Sequence, residues 1–222
     1  LASKISFMNE MSWISEAAGA DINEVRLGMG SDTRIGSAFL YSGIGYGGSC
    51  FPKDLNGLIH FQKENNRKSF ILEATKKVNE MQLDYFYKKI INYFSTKSKK
   101  TDITIWGLSF KPGTDDIRES IALKLIKKVA PHFQSINLYD PMAIKNARSE
   151  LSSVKNLNYF TEKNSSISKS TQGLIICTEW KEFWTFEEVD YKNIKVVFDG
   201  RNIYSPSKFD NLGIDYFGVG NN

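Results

Sequence analysis

The spacing of apolar residues in this chain changes once, and that change limits the folds open to it. Before the polar, basic stretch Ser95–Asp102 (STKSKKTD), apolar residues recur every three or four positions, as amphipathic helices require. After it, short β-branched runs alternate with helix-length segments: DITIWGL, IRESIALKLIKKVAPHF and SINLYDP, then GLIICT, KVVFDG and IDYFGV. Apolar strands separated by helices predict a parallel sheet covered on both faces. The chain therefore reads as an α/β protein in two parts, an all-helical domain over residues 1–97 and a doubly wound parallel-sheet domain over 98–222. A length of 222 residues suits two small domains.

Glycines and caps divide the helical half. A helix from Lys4 to Ala18, with Ile5, Met8, Met11, Trp13 and Ile14 as apolar positions, stops at Gly19. Asp21 or Asn23 then caps a short helix through Leu27. Helical spacing returns over Asp54–Glu64 and Phe70–Phe94, the latter placing Leu72, Val78, Met81, Phe86, Ile90 and Ile91 on one side. The chain opens inside a helical pattern without a cap, as expected of a piece whose N-terminal part is absent.

Composition narrows the function classes. The apolar runs fall far short of the ~18 residues of a membrane span, and no secretory leader opens the chain. Cys50 and Cys177 are too few for a disulfide scaffold and too far apart for a zinc pair, so a cytoplasmic location is expected. A net charge of +4 with interleaved acids argues against a nucleic-acid partner and suits a small anionic ligand. His60 and His132 have no ligand-spaced neighbours, so no metal site is expected.

Gly43-Ile44-Gly45-Tyr46-Gly47-Gly48 satisfies G-x-G-x-x-G, but a dinucleotide fingerprint needs a preceding strand, and helical elements precede it here. The glycines instead suit close approach of a ligand to the backbone. Cys50 follows them, with Lys53 and Asp54 close behind. It is read either as a small packing residue or as a nucleophile just before a helix N-terminus, where a thiolate is favoured. Cys177, inside GLIICT, is read as core. Lys111 and Arg118 lie in the loop Phe110–Ser120 after the first strand, and Arg201 follows a later strand in Asp199-Gly200-Arg201-Asn202. Ligands of open α/β sheets collect at such strand ends, and two basic loops suit a diphosphate. A solvated loop capped by Asp115 or Asp116 is the alternative. Trp180, Phe183, Trp184 and Phe186 read as packing or a lid.

Taken together, Arg34-Ile35-Gly36, Gly45-Tyr46-Gly47-Gly48-Ser49-Cys50-Phe51-Pro52-Lys53-Asp54, the Phe110–Ser120 loop, Tyr139-Asp140-Pro141, Thr178-Glu179-Trp180 and Asp199-Gly200-Arg201 resemble the UDP-glucose/GDP-mannose dehydrogenase family. The UDP-glucose-oxidising branch is the most similar. Its N-acetylhexosamine branch carries a His where this chain has Ser49. The resemblance implies a helical central, dimer-forming domain and a Rossmann-like nucleotide-sugar domain. It places the family's NAD-binding domain, with its catalytic Lys and Asn, upstream of Leu1, so this chain alone is expected to be inactive.

The chemistry implied is oxidation of UDP-glucose to UDP-glucuronate with two NAD, through a thiohemiacetal and a thioester on Cys50, with Asp54 helping to position or deprotonate water. By the same resemblance Arg34 reaches the substrate across a dimer interface, and Tyr41, Ser42, Gly43, Ile44, Gly45, Tyr46 and Gly47 line it with backbone groups. Phe110, Lys111 and Arg201 contact the substrate, and Lys53 and Arg118 contact NAD. A GDP-mannose 6-dehydrogenase, or a non-catalytic nucleotide-sugar-binding or dimerisation module, is the alternative.

Overall fold

The computed structural model describes residues 1–95, 101–185 and 193–221. Four helices come first: α1 (Ala2–Ala18), α2 (Ile22–Gly30), α3 (Phe51–Glu64) and α4 (Phe70–Phe94). Gly19 closes α1 in the left-handed conformation, and the Asp21 carboxylate caps α2 by accepting from Asn23 N. The second helix runs past the expected Leu27 to Gly30. The third begins at Phe51, before the expected Asp54, because Pro52 fits a first turn whose N–H groups lack helical partners. The expected boundary at residues 97/98 lies outside the described residues, as does Phe186.

Burial in the helical part departs from the apolar pattern. The first helix buries Ser6, Asn9, Ser12 and Ser15 beside Met8, leaving Ile14 exposed. Small polar residues let it approach α4 closely, and Ser6 Oγ donates to Thr75 O there at 2.8 Å. On α4 the buried positions are Thr75, Gln82, Leu83, Phe86, Ile90 and Phe94, while Met81 faces solvent. The last turns of α4 enter the core of the sheet, where Phe94 stands edge-on to Phe133, with ring centroids 5.1 Å apart.

The second part comprises β1 (Asp102–Trp106), α5 (Ile121–Val129), β2 (Ser135–Tyr139), α6 (Ile144–Glu150), β3 (Leu157–Phe160), β4 (Thr171–Ile176), β5 (Val196–Asp199) and β6 (Asp215–Phe217). The strands form one parallel six-stranded sheet in the order β3-β2-β1-β4-β5-β6. This is the doubly wound Rossmann-type order, whose topological switch lies between β1 and β4. Strand β3 and helix α6 are additions to the elements the sequence pattern predicts. Helix α5 starts at Ile121 with Ser120 at its N-cap position, so neither Asp115 nor Asp116 caps it.

The C-terminal tail returns to the helices. Gly220 O accepts from Ile22 N at 3.1 Å, and Gly220 N donates to Glu16 Oε1 at 2.8 Å. Glu16 is ion-paired with Lys89 in a nearly buried setting and accepts from the Tyr85 hydroxyl. Lys89 Nζ also donates to Gly218 O at 3.1 Å, so one cluster joins α1, α4 and the tail.

Candidate functional site

The glycine loop lies between α1, α4 and the C-terminal edge of the sheet, and buried amides hold it. Gly43 N donates to Asn9 Oδ1 at 2.9 Å, and Gln82 Nε2 donates to Gly43 O at 2.7 Å. Asn79 engages both backbone groups of Tyr46, at 2.8 and 3.0 Å. Ile44 N donates to Gly200 O at 3.0 Å and Gly48 N to Arg118 O at 2.9 Å, which ties the loop to two strand-end loops of the sheet. Several of its N–H groups are thus already occupied by protein.

The glycines serve that seam. A Cβ at Gly47 would stand 2.2 Å from Glu119 O, and one at Gly48 2.7 Å from the Phe110 ring. Close approach of two protein loops requires glycine at both positions, and both also line the cleft.

Two buried carboxylates shape the facing loops. Asp140, in the Tyr139-Asp140-Pro141 motif, accepts from Leu108 N, Ser109 N, Met142 N and Ala143 N at 2.7–3.0 Å, cross-linking the ends of β1 and β2. Asp199, at the end of β5, accepts from Arg201 N, Tyr204 N and the Tyr216 hydroxyl at 3.0–3.1 Å. Burial pushes its carboxyl up to about 6 against these hydrogen bonds. Arg201 is directed from there toward the glycine loop, with Nε donating to Cys177 O at 2.8 Å, Nη1 to Gly45 O at 3.4 Å, and Glu179 in ion-pair contact at 3.2 Å.

These parts enclose a cleft of about 1000 Å³, ample for a nucleotide-sized ligand. It brings together Tyr41, Ser42, Gly43, Gly45, Tyr46, Gly47, Cys50, Phe110, Lys111 and Arg201. Cys50 is exposed at the N-cap position of α3, at the positive end of the helix dipole. Cys177 is buried, and burial pushes its thiol up to about 12. Lys111 lies beside the Phe110 ring and forms no ion pair among the described residues.

Other expected residues lie elsewhere. Ile44 is a correction: it is not in the cleft lining, since its N–H donates to Gly200 O and its side chain is buried in the main core beneath Gly200. Lys53 and Asp54 pair with each other at 3.3 Å on the exposed face of α3, outside the cleft lining. Arg118 is held on Asp116 at 2.6 Å, and Asp116 first, with Cys50 as a lesser influence, keeps its guanidinium charged. Arg34 is 87% exposed on Asp32, away from this chain's own cleft. Met8 is buried and Trp13 half-buried within the helical part, Trp13 Nε1 donating to Gln82 Oε1 at 2.6 Å. His60 pairs with Glu64 at 3.2 Å, and His132 meets the Tyr87 hydroxyl at 3.0 Å. Phe183 packs on Trp106, while Trp184 is exposed over the cleft.

Sequence reasoning missed the amides Asn9, Asn79 and Gln82, which sit in helical segments without a motif. It also missed Arg26 and Phe39 in the cleft wall, and read Asn23 only as a cap and Asn202 only as part of a strand-end loop. Asn9, Asn79, Gln82, Asn23 and Arg26 are marked only by their position on helix faces once α1, α2 and α4 are packed, and Phe39 and Asn202 only by the loops that meet there.

The pattern of the UDP-glucose/GDP-mannose dehydrogenase family, central domain, matches residues 1–81, and that of the family's UDP binding domain matches residues 104–206. The chain belongs to the UDP-glucose/GDP-mannose dehydrogenase family. Within the family it is 37% identical over 228 residues to a UDP-glucose 6-dehydrogenase of Pseudomonas aeruginosa, covering 99% of this chain and 50% of that protein. It is 39% identical over 223 residues to a UDP-glucose 6-dehydrogenase of Bacillus subtilis, again covering 99% and 50%. Among solved structures, a UDP-glucose dehydrogenase from the hyperthermophilic archaeon Pyrobaculum islandicum superposes with a TM-score of 0.86 at 30% identity, over 100% of this chain and 48% of that one. The chain spans about half the length of these dehydrogenase-family relatives. No helix among the described residues is long and apolar enough to cross a membrane, and no cluster of three or more His, Cys, Asp or Glu suited to a metal ion occurs among them.

Proposed function

We propose that this chain is the nucleotide-sugar-binding, thiol-bearing portion of an NAD-dependent dehydrogenase that oxidises UDP-glucose to UDP-glucuronate. The observation that carries the reading is the exposed Cys50, on the wall of a nucleotide-sized cleft that Lys111 and Arg201 also line. Those cations suit the diphosphate, and Cys50 lines the same space. Resemblance to UDP-glucose 6-dehydrogenases at 37% and 39% identity supports glucose as the sugar.

In this reading the C6 alcohol is first oxidised to an aldehyde. The Cys50 thiolate adds to the aldehyde carbon, and the carbonyl oxygen takes a proton to give a thiohemiacetal. Loss of a hydride from that carbon and of the hydroxyl proton leaves a thioester on Cys50. Water then attacks the carbonyl, the C–S bond breaks, and the uronate leaves with the thiolate regenerated. Asp54, one turn along α3 from Cys50, is assigned to the water. Two NAD, bound in turn, would each accept one hydride. Lys53 and Arg118, exposed cations near Cys50, would face it.

By itself the chain is expected to bind UDP-glucose without turnover. Arg34, out of its own cleft, is assigned to the site of a second copy docked through the helical part. A cytoplasmic location completes the reading.

Thiol labelling tests the site. UDP-glucose should protect Cys50 from a maleimide, and Cys50→Ser should abolish the protected labelling while UDP-glucose still binds by calorimetry. Absence of both protection and binding at millimolar UDP-glucose would overturn the assignment. In a chain that also carries a dinucleotide-binding domain, Cys50→Ser should lower uronate formation by several powers of ten. An unchanged rate would make Cys50 structural.

A further inference from the structure

The cleft wall carries an arginine with no assigned role. Arg26 projects from α2 into the cleft, and its guanidinium lies over the Tyr41 ring, 4.4 Å from the centroid. Its Nε is shut off from solvent without an acceptor. Arg34, Arg118 and Arg201 each hold a carboxylate, on Asp32, Asp116 and Glu179 respectively. Arg26 forms no ion pair among the described residues. A buried donor without an acceptor is costly, so a charged fork held this way is poised for an acceptor that arrives with a ligand.

Its place along the cleft indicates which part of the ligand that is. Cys50 stands at one end of the glycine loop, two residues after Gly48, which packs on the Phe110 ring. Arg201 reaches the middle, at Gly45 O. Tyr41 stands at the other end, next to Ser42, whose hydroxyl accepts from Asn202 Nδ2 at 3.2 Å. A nucleotide sugar with its oxidised carbon at Cys50 and its diphosphate near Lys111 and Arg201 would carry its nucleoside toward Tyr41 and Arg26. There the Tyr41 ring packs against the guanidinium carbon, and the terminal Nη groups, in no ion pair among the described residues, stand at the cleft wall for an acceptor.

We propose that Arg26 reads the nucleobase: held on Tyr41, it donates to a ring carbonyl oxygen, so the cleft favours uracil over a base that presents an amino group at that position. This rests on the nucleotide-sugar reading above and extends it to base selectivity. Cytosine differs from uracil by an amino group in place of a carbonyl, so the same guanidinium would meet a donor instead of an acceptor.

Calorimetry with UDP and CDP on the wild-type chain, Arg26→Ala and Arg26→Lys tests this. Wild type should bind UDP about tenfold to a hundredfold more tightly than CDP, the range of one hydrogen bond to a charged donor. Arg26→Ala should bring the UDP-to-CDP ratio close to one, mainly through weaker UDP binding. Arg26→Lys should retain part of the preference, since it keeps the charge but not the planar fork. Equal weakening of UDP and CDP would make Arg26 a diphosphate contact and overturn the proposal. Equal wild-type affinity for the two nucleotides, or an unchanged ratio in Arg26→Ala with an unchanged melting midpoint, would overturn it while the nucleotide-sugar reading stands. Failure of wild type to bind either nucleotide would remove both.

Discussion

Replacing Gly47 with alanine tests whether the two halves of the cleft meet as described. The added Cβ would stand 2.2 Å from Glu119 O and 2.9 Å from its carbonyl carbon, so the oxygen contact falls short of an ordinary one by about 1 Å. The obstacle is backbone, and Glu119 already holds a positive φ of 52°, so no rotamer change relieves it. The glycine loop must move off the β1–α5 loop, taking with it the Gly48 N–Arg118 O bond and the Gly48–Phe110 contact. Overpacking costs about 1–3 kcal/mol and a lost hydrogen bond about 1 more, so roughly 2–4 kcal/mol is expected. Gly57→Ala on α3 is the control, since nothing lies within 4 Å of its Cβ, and it should stabilise by about 0.5–1 kcal/mol. Urea unfolding followed by tryptophan fluorescence gives both values from midpoint and slope. UDP-glucose binding should weaken in Gly47→Ala and stay unchanged in Gly57→Ala. A Gly47→Ala chain as stable as wild type would refute the tight seam and the reason offered for the glycines.

Three further outcomes are expected. Glu16→Gln removes one partner of the nearly buried Glu16–Lys89 pair and should cost about 3–5 kcal/mol in urea unfolding, with Lys89→Met added on top recovering part of the loss; no loss would mean the tail is held by other contacts. Asp199, at about 6 when folded against 3.8 when unfolded, keeps its proton in the native state over a range where the unfolded chain has lost it. Its contribution is full below pH 3.8 and is lost as pH rises through about 6, at most roughly 3 kcal/mol. Wild type should therefore lose stability between pH 4.5 and 7 relative to Asp199→Asn, and parallel pH profiles would refute the assignment. Phe7 and Ile14, exposed two turns apart on α1, are expected to lie in the contact with a second copy. Sedimentation should give a dimer that Ile14→Glu weakens, and a wild-type monomer at micromolar concentration would count against it.

The switch from helical spacing to alternating strands and helices was legible because burial imposes a period on whichever residues face a core. The central strands β1, β4 and β5, covered on both faces, carry that signal in runs such as DITIW and VVFD. The edge strand β3 does not: Leu157, Tyr159 and Phe160 are only partly buried, and Asn158 is exposed between them. The first helix misled in the other direction, because its buried face is serine and asparagine chosen for close approach and hydrogen bonding to α4.

The residue types for chemistry and charge, Cys50, Lys111 and Arg201 among them, could be picked out along the chain, since glycine loops and strand ends are local features. Which of them share a cleft could not. Ile44 belongs to the same glycine loop as Gly43 and Gly45, yet it packs in the core beneath Gly200. Arg26 carries no motif and enters the cleft only because α2 packs beside Tyr41. The contacts that settle these positions join residues distant in sequence, as when Ile22 N donates to Asn221 Oδ1 across 199 positions. Periodicity is written in each segment by the solvent it avoids, whereas a site is made by backbone and side chains that meet only after those segments have packed.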